Sequence, residues 1–202
     1  IQDKLKYFNN ISIREHHGLK ILESMHLKGI WVADPVFLLT KEHWVNLLKS
    51  FKKKEKYILI YDFERNQLLK EFARYLAKLK NLKIYSINDT YPLLYADRNF
   101  NKAGPLDFIT LIYNADYFIS NSLHGTLFSI LFEKDFFVFG RTRHKVNSRM
   151  ESILKLVQLE NRYITSNKDF PNAFHKIDYK YVNQILLRHI AASKEYIEQA
   201  LA

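Results

Sequence analysis

Between two apolar runs of this chain lies a small polar cluster, Ser120-Asn121-Ser122-Leu123-His124-Gly125-Thr126. Its residue types suit chemistry at an anion. A histidine trades protons near neutral pH, so His124 can serve as a general acid toward a carbon or a leaving oxygen. Ser120, Asn121, Ser122 and Thr126 bring short hydrogen-bonding groups, and Gly125 lets the backbone approach a ligand closely. The plainer alternative is a histidine that merely caps a helix by hydrogen bonding. Ser122 and His124 do not make a hydrolase, because the Gly-x-Ser-x-Gly elbow is absent and the two residues are too near in sequence to pair.

Arg14 is the second candidate. It closes a predicted strand, where a guanidinium can grip a carboxylate or phosphate through two parallel bonds. The alternative is a surface ion pair with Glu15 or Glu23. After the next apolar run come Arg141, Arg143, Lys145 and Arg149, four cations in nine residues. They are expected on the same carboxyl-end rim as the polar cluster, although a solvated basic loop would read the same way. His16 and His17 are adjacent and diverge on a helix, and His26 and His43 lack companions at ligand spacing. No metal site is expected, and neither a Walker nor a dinucleotide fingerprint is present.

The elements that must position these residues follow from periodicity. Tyr117 to Ile119 reads as a strand, Leu127, Ile130 and Leu131 as one helix face, and Phe136 to Phe139 as the next strand, closed by Gly140. The cluster therefore falls where a strand's carboxyl end meets a helix amino terminus, whose unpaired N–H groups and dipole favour an anion. Earlier, Ile11 to Arg14 and Ile30 to Ala33 read as strands around a helix from Glu15 to His26. Thr40 is expected to cap a helix carrying Trp44, Leu47, Leu48 and Phe51. Tyr57 to Tyr61 is a continuous apolar run, the kind a parallel sheet buries on both faces. Asn66 to Lys80 is a helix with Leu68, Leu69, Phe72, Leu76 and Leu79 as its buried stripe. Leu82 to Ile87 is a strand, and residues 88–104 lose periodicity and read as a long loop. Pro105 opens a helix with Leu106, Ile109, Leu111 and Ile112. Asn147 or Ser148 is expected to cap another, and a terminal helix starts near Tyr179. Strands alternating with helices predict an α/β fold: a doubly wound parallel sheet, Rossmann-like, in a single domain over residues 1–202.

Composition bounds the rest. With 202 residues, 48% hydrophobic and 26% charged, the chain is globular. No apolar run approaches the ~20 residues of a membrane span. The amino end lacks a signal peptide's apolar centre and an initiator methionine, which is expected of a processed or truncated chain. The absence of cysteine excludes disulfides and thiolate metal sites, and a cytoplasmic address is expected. The net charge of +10 fits an anionic small substrate, an acidic membrane surface or a nucleic acid equally well.

Taken together, Ile11 to Glu15, Trp31 to Leu39 with its Asp34-Pro35, Gly104 to Phe108, Ile119 to Thr126 and Phe136 to Phe139 resemble the polysaccharide pyruvyltransferase family. They run in family order over roughly the first 160 residues. The resemblance implies a fold like one lobe of the two-lobed GT-B glycosyltransferases. This chain is similar to the carboxyl-terminal, donor-binding half, with most of the amino-terminal acceptor lobe outside it and the terminal helix crossing back to that lobe. It further implies transfer of a pyruvyl group from phosphoenolpyruvate to a sugar, usually as a ketal. The acceptor would be a cell-surface polysaccharide or a lipid-linked precursor, met at the inner face of the membrane. No cofactor and no nucleic-acid partner are implied.

Residue by residue, Arg14 matches a donor-binding arginine and His124 the family's catalytic histidine. Lys145 stands about where some members have a functional lysine. One departure is Ser122, where several characterised members carry an arginine that holds the donor; Arg141 or Arg143 would then supply that charge. In the mechanism this implies, His124 protonates the methylene carbon of the donor and a sugar hydroxyl attacks C2. Two further readings remain: a GT-B-like glycosyltransferase with a nucleotide-sugar donor, and a basic nucleic-acid-binding module.

Overall fold

The computed structural model of the protein describes residues 2–88, 92–142, 147–171 and 173–202. Arg143 and Lys145, two of the candidate cations, lie outside these residues. In chain order the elements are α1 (Gln2–Leu5), β1 (Ser12–Ile13), α2 (His16–Ser24), β2 (Ile30–Trp31), α3 (Lys41–Asn46), β3 (Tyr57–Tyr61), α4 (Gln67–Lys80), β4 (Lys83–Ile87), β5 (Arg98–Phe100), α5 (Pro105–Asn114), β6 (Tyr117–Ser120), α6 (Leu123–Leu131), β7 (Asp135–Phe139), α7 (Ser148–Leu156), β8 (Tyr163–Ile164) and α8 (Tyr179–Leu201). They form two compact units. One comprises Ile1–Leu38, Val146–Glu160 and Asp178–Ala202; the other comprises Leu39–Lys145 and Asn161–Ile177.

The larger unit holds a six-stranded sheet in the order β5-β4-β3-β6-β7-β8, with every pairing parallel. The chain starts in the middle at β3, steps outward through β4 and β5, then returns to lay β6 against β3 and steps outward the other way. The order therefore reverses between β3 and β6, where an α/β sheet opens a crevice at its strand ends. This is a Rossmann-like α/β fold. Tyr57, Ile58, Leu59 and Ile60 of β3 are fully buried, as a central parallel strand covered on both faces must be. On one face Ile58, Ile60, Phe137 and Phe139 pack with Leu69, Phe72 and Leu76 of α4. On the other, Phe118 lies under α6. A Cβ on Gly125 would come within 2.5 Å of the Phe118 ring, so only glycine lets this helix settle onto the sheet.

Local chemistry sets the helix ends. Asn66 caps α4 by accepting from the Leu69 N–H, and Asn81 ends it in the left-handed region with φ of 51°. Thr40 caps α3 as its sequence predicts, accepting from the His43 N–H. That helix stops at Asn46, however, and does not reach Phe51. Two further expectations change. The stretch 88–104 is no simple loop, because β5 pairs there with β4 from Tyr85↔Arg98 to Ile87↔Phe100. Three residues reading Arg-Asn-Phe carry no apolar run; Asn99 fixes the strand by accepting from Ser86 Oγ at 2.6 Å and Asn88 Nδ2 at 3.0 Å. Leu79 leaves the buried stripe of α4 and is 53% exposed; Ala73 is fully buried instead.

In the smaller unit β1 and β2 pair in parallel, Ser12↔Ile30 and Ile13↔Trp31. The 23-residue α8 is tied to the segment after β2 by Ser193, whose hydroxyl accepts from the Ala33 N–H at 2.8 Å. Trp31 stands between His16 and His189, with ring centroids 5.4 and 4.8 Å away.

Candidate active site at the strand-order reversal

The polar cluster sits where its periodicity places it. Ser120 is the last residue of β6, Ser122 caps α6, and His124 lies in that helix's first turn. The Ser122 Oγ accepts from the Gly125 N–H at 3.2 Å, and Thr126 Oγ1 donates back to the Ser122 carbonyl at 2.9 Å. Ser120 and Asn121 bind the end of β6 to that of β3. Ser120 Oγ donates to the Tyr61 carbonyl at 2.5 Å and accepts from the Ser122 N–H at 2.9 Å. Asn121 donates to Asp62 Oδ1 at 2.8 Å and accepts from the Phe63 N–H at 3.0 Å. Ser120, Asn121 and Thr126 are buried, so their side chains serve to hold the loop.

Asp62 is the centre that the sequence reading missed. Its carboxylate also accepts from the Glu64 and Asn66 N–H groups, at 3.0 and 2.7 Å. In nucleotide-binding Rossmann folds, amides of the first strand-to-helix turn cradle a diphosphate. Here a carboxylate of the chain itself takes two of them. The anion-binding end left available at the reversal is the amino terminus of α6, which carries His124.

His124 is exposed and makes no hydrogen bond among the described residues. With Ser122 it lines a cavity of about 310 Å³ beside Tyr61, Phe63, Gly104 and Phe108. An exposed imidazole at the mouth of a cleft can reach a substrate atom, which a core histidine cannot. Arg141 follows β7 on the same rim. Its guanidinium lies 5.0 Å from the centre of the Phe63 ring, and its Nε donates to Glu64 Oε1 at 3.2 Å. Glu64 also accepts from the Thr142 N–H and hydroxyl, at 2.8 and 3.0 Å. The charge of Arg141 is thus partly answered by a buried carboxylate 77 positions earlier in the chain.

Arg14 belongs to the smaller unit. It pairs with neither Glu15 nor Glu23: its Nη1 donates to Asp34 Oδ2 at 3.0 Å. Asp34 is buried and accepts from the Val36 N–H at 3.1 Å, so its position is fixed from two sides. The Arg14 side chain is 48% exposed and keeps donors facing water. Glu15 accepts from the Ser148 hydroxyl at 3.0 Å. No group of three or more metal-ligating side chains occurs among the described residues, nor is any helix there long and apolar enough to cross a membrane.

A parallel sheet in this order, opening at its reversal onto an exposed imidazole at a helix amino terminus, defines a Rossmann-like protein in which Asp62 takes two amides of the turn after β3. Sequence comparison then gives the family. A profile described as Polysaccharide pyruvyl transferase matches residues 1–143, and the chain belongs to that family of transferases. No curated protein matches the chain at the significance required.

Proposed function

We propose that the protein moves the pyruvyl group of phosphoenolpyruvate onto a sugar of a cell-surface polysaccharide or its lipid-linked precursor, leaving a ketal. The observation that carries this reading is His124, exposed at the first turn of α6, in a cleft at the strand-order reversal and without a hydrogen-bond partner among the described residues. An anionic donor docks over that helix end, at the mouth of the cleft and outside its apolar walls, because the end presents N–H donors and positive potential. His124 gives a proton to the methylene carbon, and positive charge builds at C2. A first sugar hydroxyl adds to C2 and returns a proton to the imidazole. A second displaces the phosphate, which leaves with the second hydroxyl's proton.

Ser120, Asn121, Thr126 and Gly125 position the loop, and Ser122 faces the substrate. Arg141 contributes charge from the next rim segment. Arg14, Arg143 and Lys145 are assigned to the donor's carboxylate and phosphate on the resemblance. The site is proposed to work in the cytoplasm, at the inner face of the membrane where a lipid-linked acceptor would be met. A nucleotide-sugar donor has less support, since Asp62 already takes the amides that a diphosphate would need.

The test is phosphate release from phosphoenolpyruvate in the complete enzyme with a saccharide acceptor, run in heavy water. A deuterium in the product methyl group, and a rate about 100- to 10,000-fold lower in His124→Gln, are expected. An unchanged rate in that variant refutes the mechanism.

A further inference from the structure

We propose that the cavity beside His124 is the subsite for the acceptor sugar, which stacks a ring face on Phe63; this rests on the donor reading above. The cavity measures about 310 Å³, enough for a hexose ring and little more. Its walls are mostly apolar: Tyr61, Phe63, Ile87, Pro105 and Phe108, with no carboxylate, lysine or arginine lining it among the described residues. A donor bearing a phosphate and a carboxylate does not belong inside such walls, because its charges would lose water without a paired cation. A neutral ring with one face of C–H groups and a rim of hydroxyls does.

The arrangement of the rings separates a sugar from a nucleobase. A base calls for a flat slot between near-parallel faces. Here Tyr61 is inclined to Phe63 by 57° and to Phe108 by 63°, with centroids 4.6 and 5.1 Å apart. This forms a concave corner. Phe63 is 45% exposed, with the Arg141 guanidinium 5.0 Å from its ring centre, and it offers a single aromatic platform at the rim.

Two polar groups reach the same cavity. The Ser122 hydroxyl accepts from Gly125 but donates to nothing among the described residues, and Ser122 is 5% exposed. Its proton is left for a ligand oxygen. His124 stands at the same rim, so a hydroxyl of a stacked ring comes beside the imidazole that handles protons in the donor reaction.

The experiment is saturation-transfer difference NMR on the 202-residue chain. The probes are the methyl β-glycosides of glucose, galactose and N-acetylglucosamine, with uridine as the competing class. At least one glycoside should receive saturation, strongest on the protons of one ring face. Phe63→Ala and Phe63→Leu should weaken that binding at least about ten-fold, as loss of an aromatic anchor does, while Phe63→Trp retains it. Phosphoenolpyruvate binding, followed in the same samples by the His124 ring resonances, should still be detected in both truncations. Glycoside binding that survives both truncations, or no glycoside binding at all, overturns the proposal; so does uridine binding in place of every glycoside. The two readings fail separately. Glycoside binding lost with Phe63 but no response to phosphoenolpyruvate supports the subsite and sinks the donor, and the reverse pattern does the opposite.

Discussion

Asn121 and Asp62 hold each other across the reversal of strand order, the Asn121 amide donating to the Asp62 carboxylate at 2.8 Å. The contact joins the ends of β6 and β3, two strands whose loops must stay in register for any ligand between them. It also occupies the turn after β3, since the same carboxylate takes the N–H groups of Glu64 and Asn66. The protein's own negative charge stands where nucleotide-binding relatives of this fold put a phosphate.

Asn121→Asp should therefore be costly in a pH-dependent way. Two carboxylates in contact cannot both ionise easily, so the pair holds its first proton more tightly folded than unfolded. A raised folded pKa gives stability below the unfolded value of about 4 and loses it as pH rises. The variant's deficit should be about 3 kcal/mol at pH 7 and should shrink toward pH 4, measured by urea denaturation. A deficit independent of pH would show that Asp62 and residue 121 do not interact.

Gly125→Ala tests the seating of the helix. The added Cβ meets Phe118 at 2.5 and 2.6 Å, and Phe118 is itself buried. Overpacking of this kind costs about 1–3 kcal/mol, and relief by lifting α6 would move His124 with it. Denaturation should show the loss, and Phe118→Leu in the same chain should restore part of it. No change in stability would mean that the helix does not rest on the ring.

Arg14→Ala should separate stability from activity. Because half of the Arg14 side chain meets water, its pair with Asp34 is screened and its loss should cost about 1 kcal/mol. In the complete enzyme the same change should reduce phosphoenolpyruvate turnover by about 100-fold or more, as expected of a charge that grips the donor. Full turnover in Arg14→Ala would remove Arg14 from the donor site.

His189 gives the smaller unit an acid sensitivity. Burial lowers its pKa from the ordinary 6.5, so the folded chain resists the proton that the unfolded chain accepts. Above that value both states are neutral and nothing is lost. As pH falls through 6.5 toward the depressed folded value the unfolded state gains, and stability drops. The melting temperature should fall between pH 7.5 and 5.5, and His189→Phe should fall less over the same range. Identical slopes in the two proteins would exclude His189 as a source.

What the sequence made legible was local. The strand, the Ser122 cap and the helix around His124 follow from apolar spacing and one capping residue, all within a dozen positions. Thr40, Asn66 and Pro105 announce their helices for the same reason. What it concealed is non-local. Asp62 looks like an ordinary turn residue until Asn121 arrives 59 positions later. Arg141 reads as a loose cation in a basic loop because nothing near it in sequence signals the Glu64 carboxylate. The aromatic cavity draws on the β3 end, the segment before α5 and the first turn of α6, and Phe63 and Phe108 singly look like core. β5 is held by its edge pairing and by Asn99, neither of which produces a run of apolar residues.

The most direct measurement is to label the histidine rings and titrate the chain with phosphoenolpyruvate, following the Cε1–H resonance assigned to His124 by its absence in His124→Gln. A donor docked beside His124 should give a saturable shift of that resonance, abolished by competing inorganic phosphate. A His124 resonance that stays fixed up to millimolar donor would contradict it.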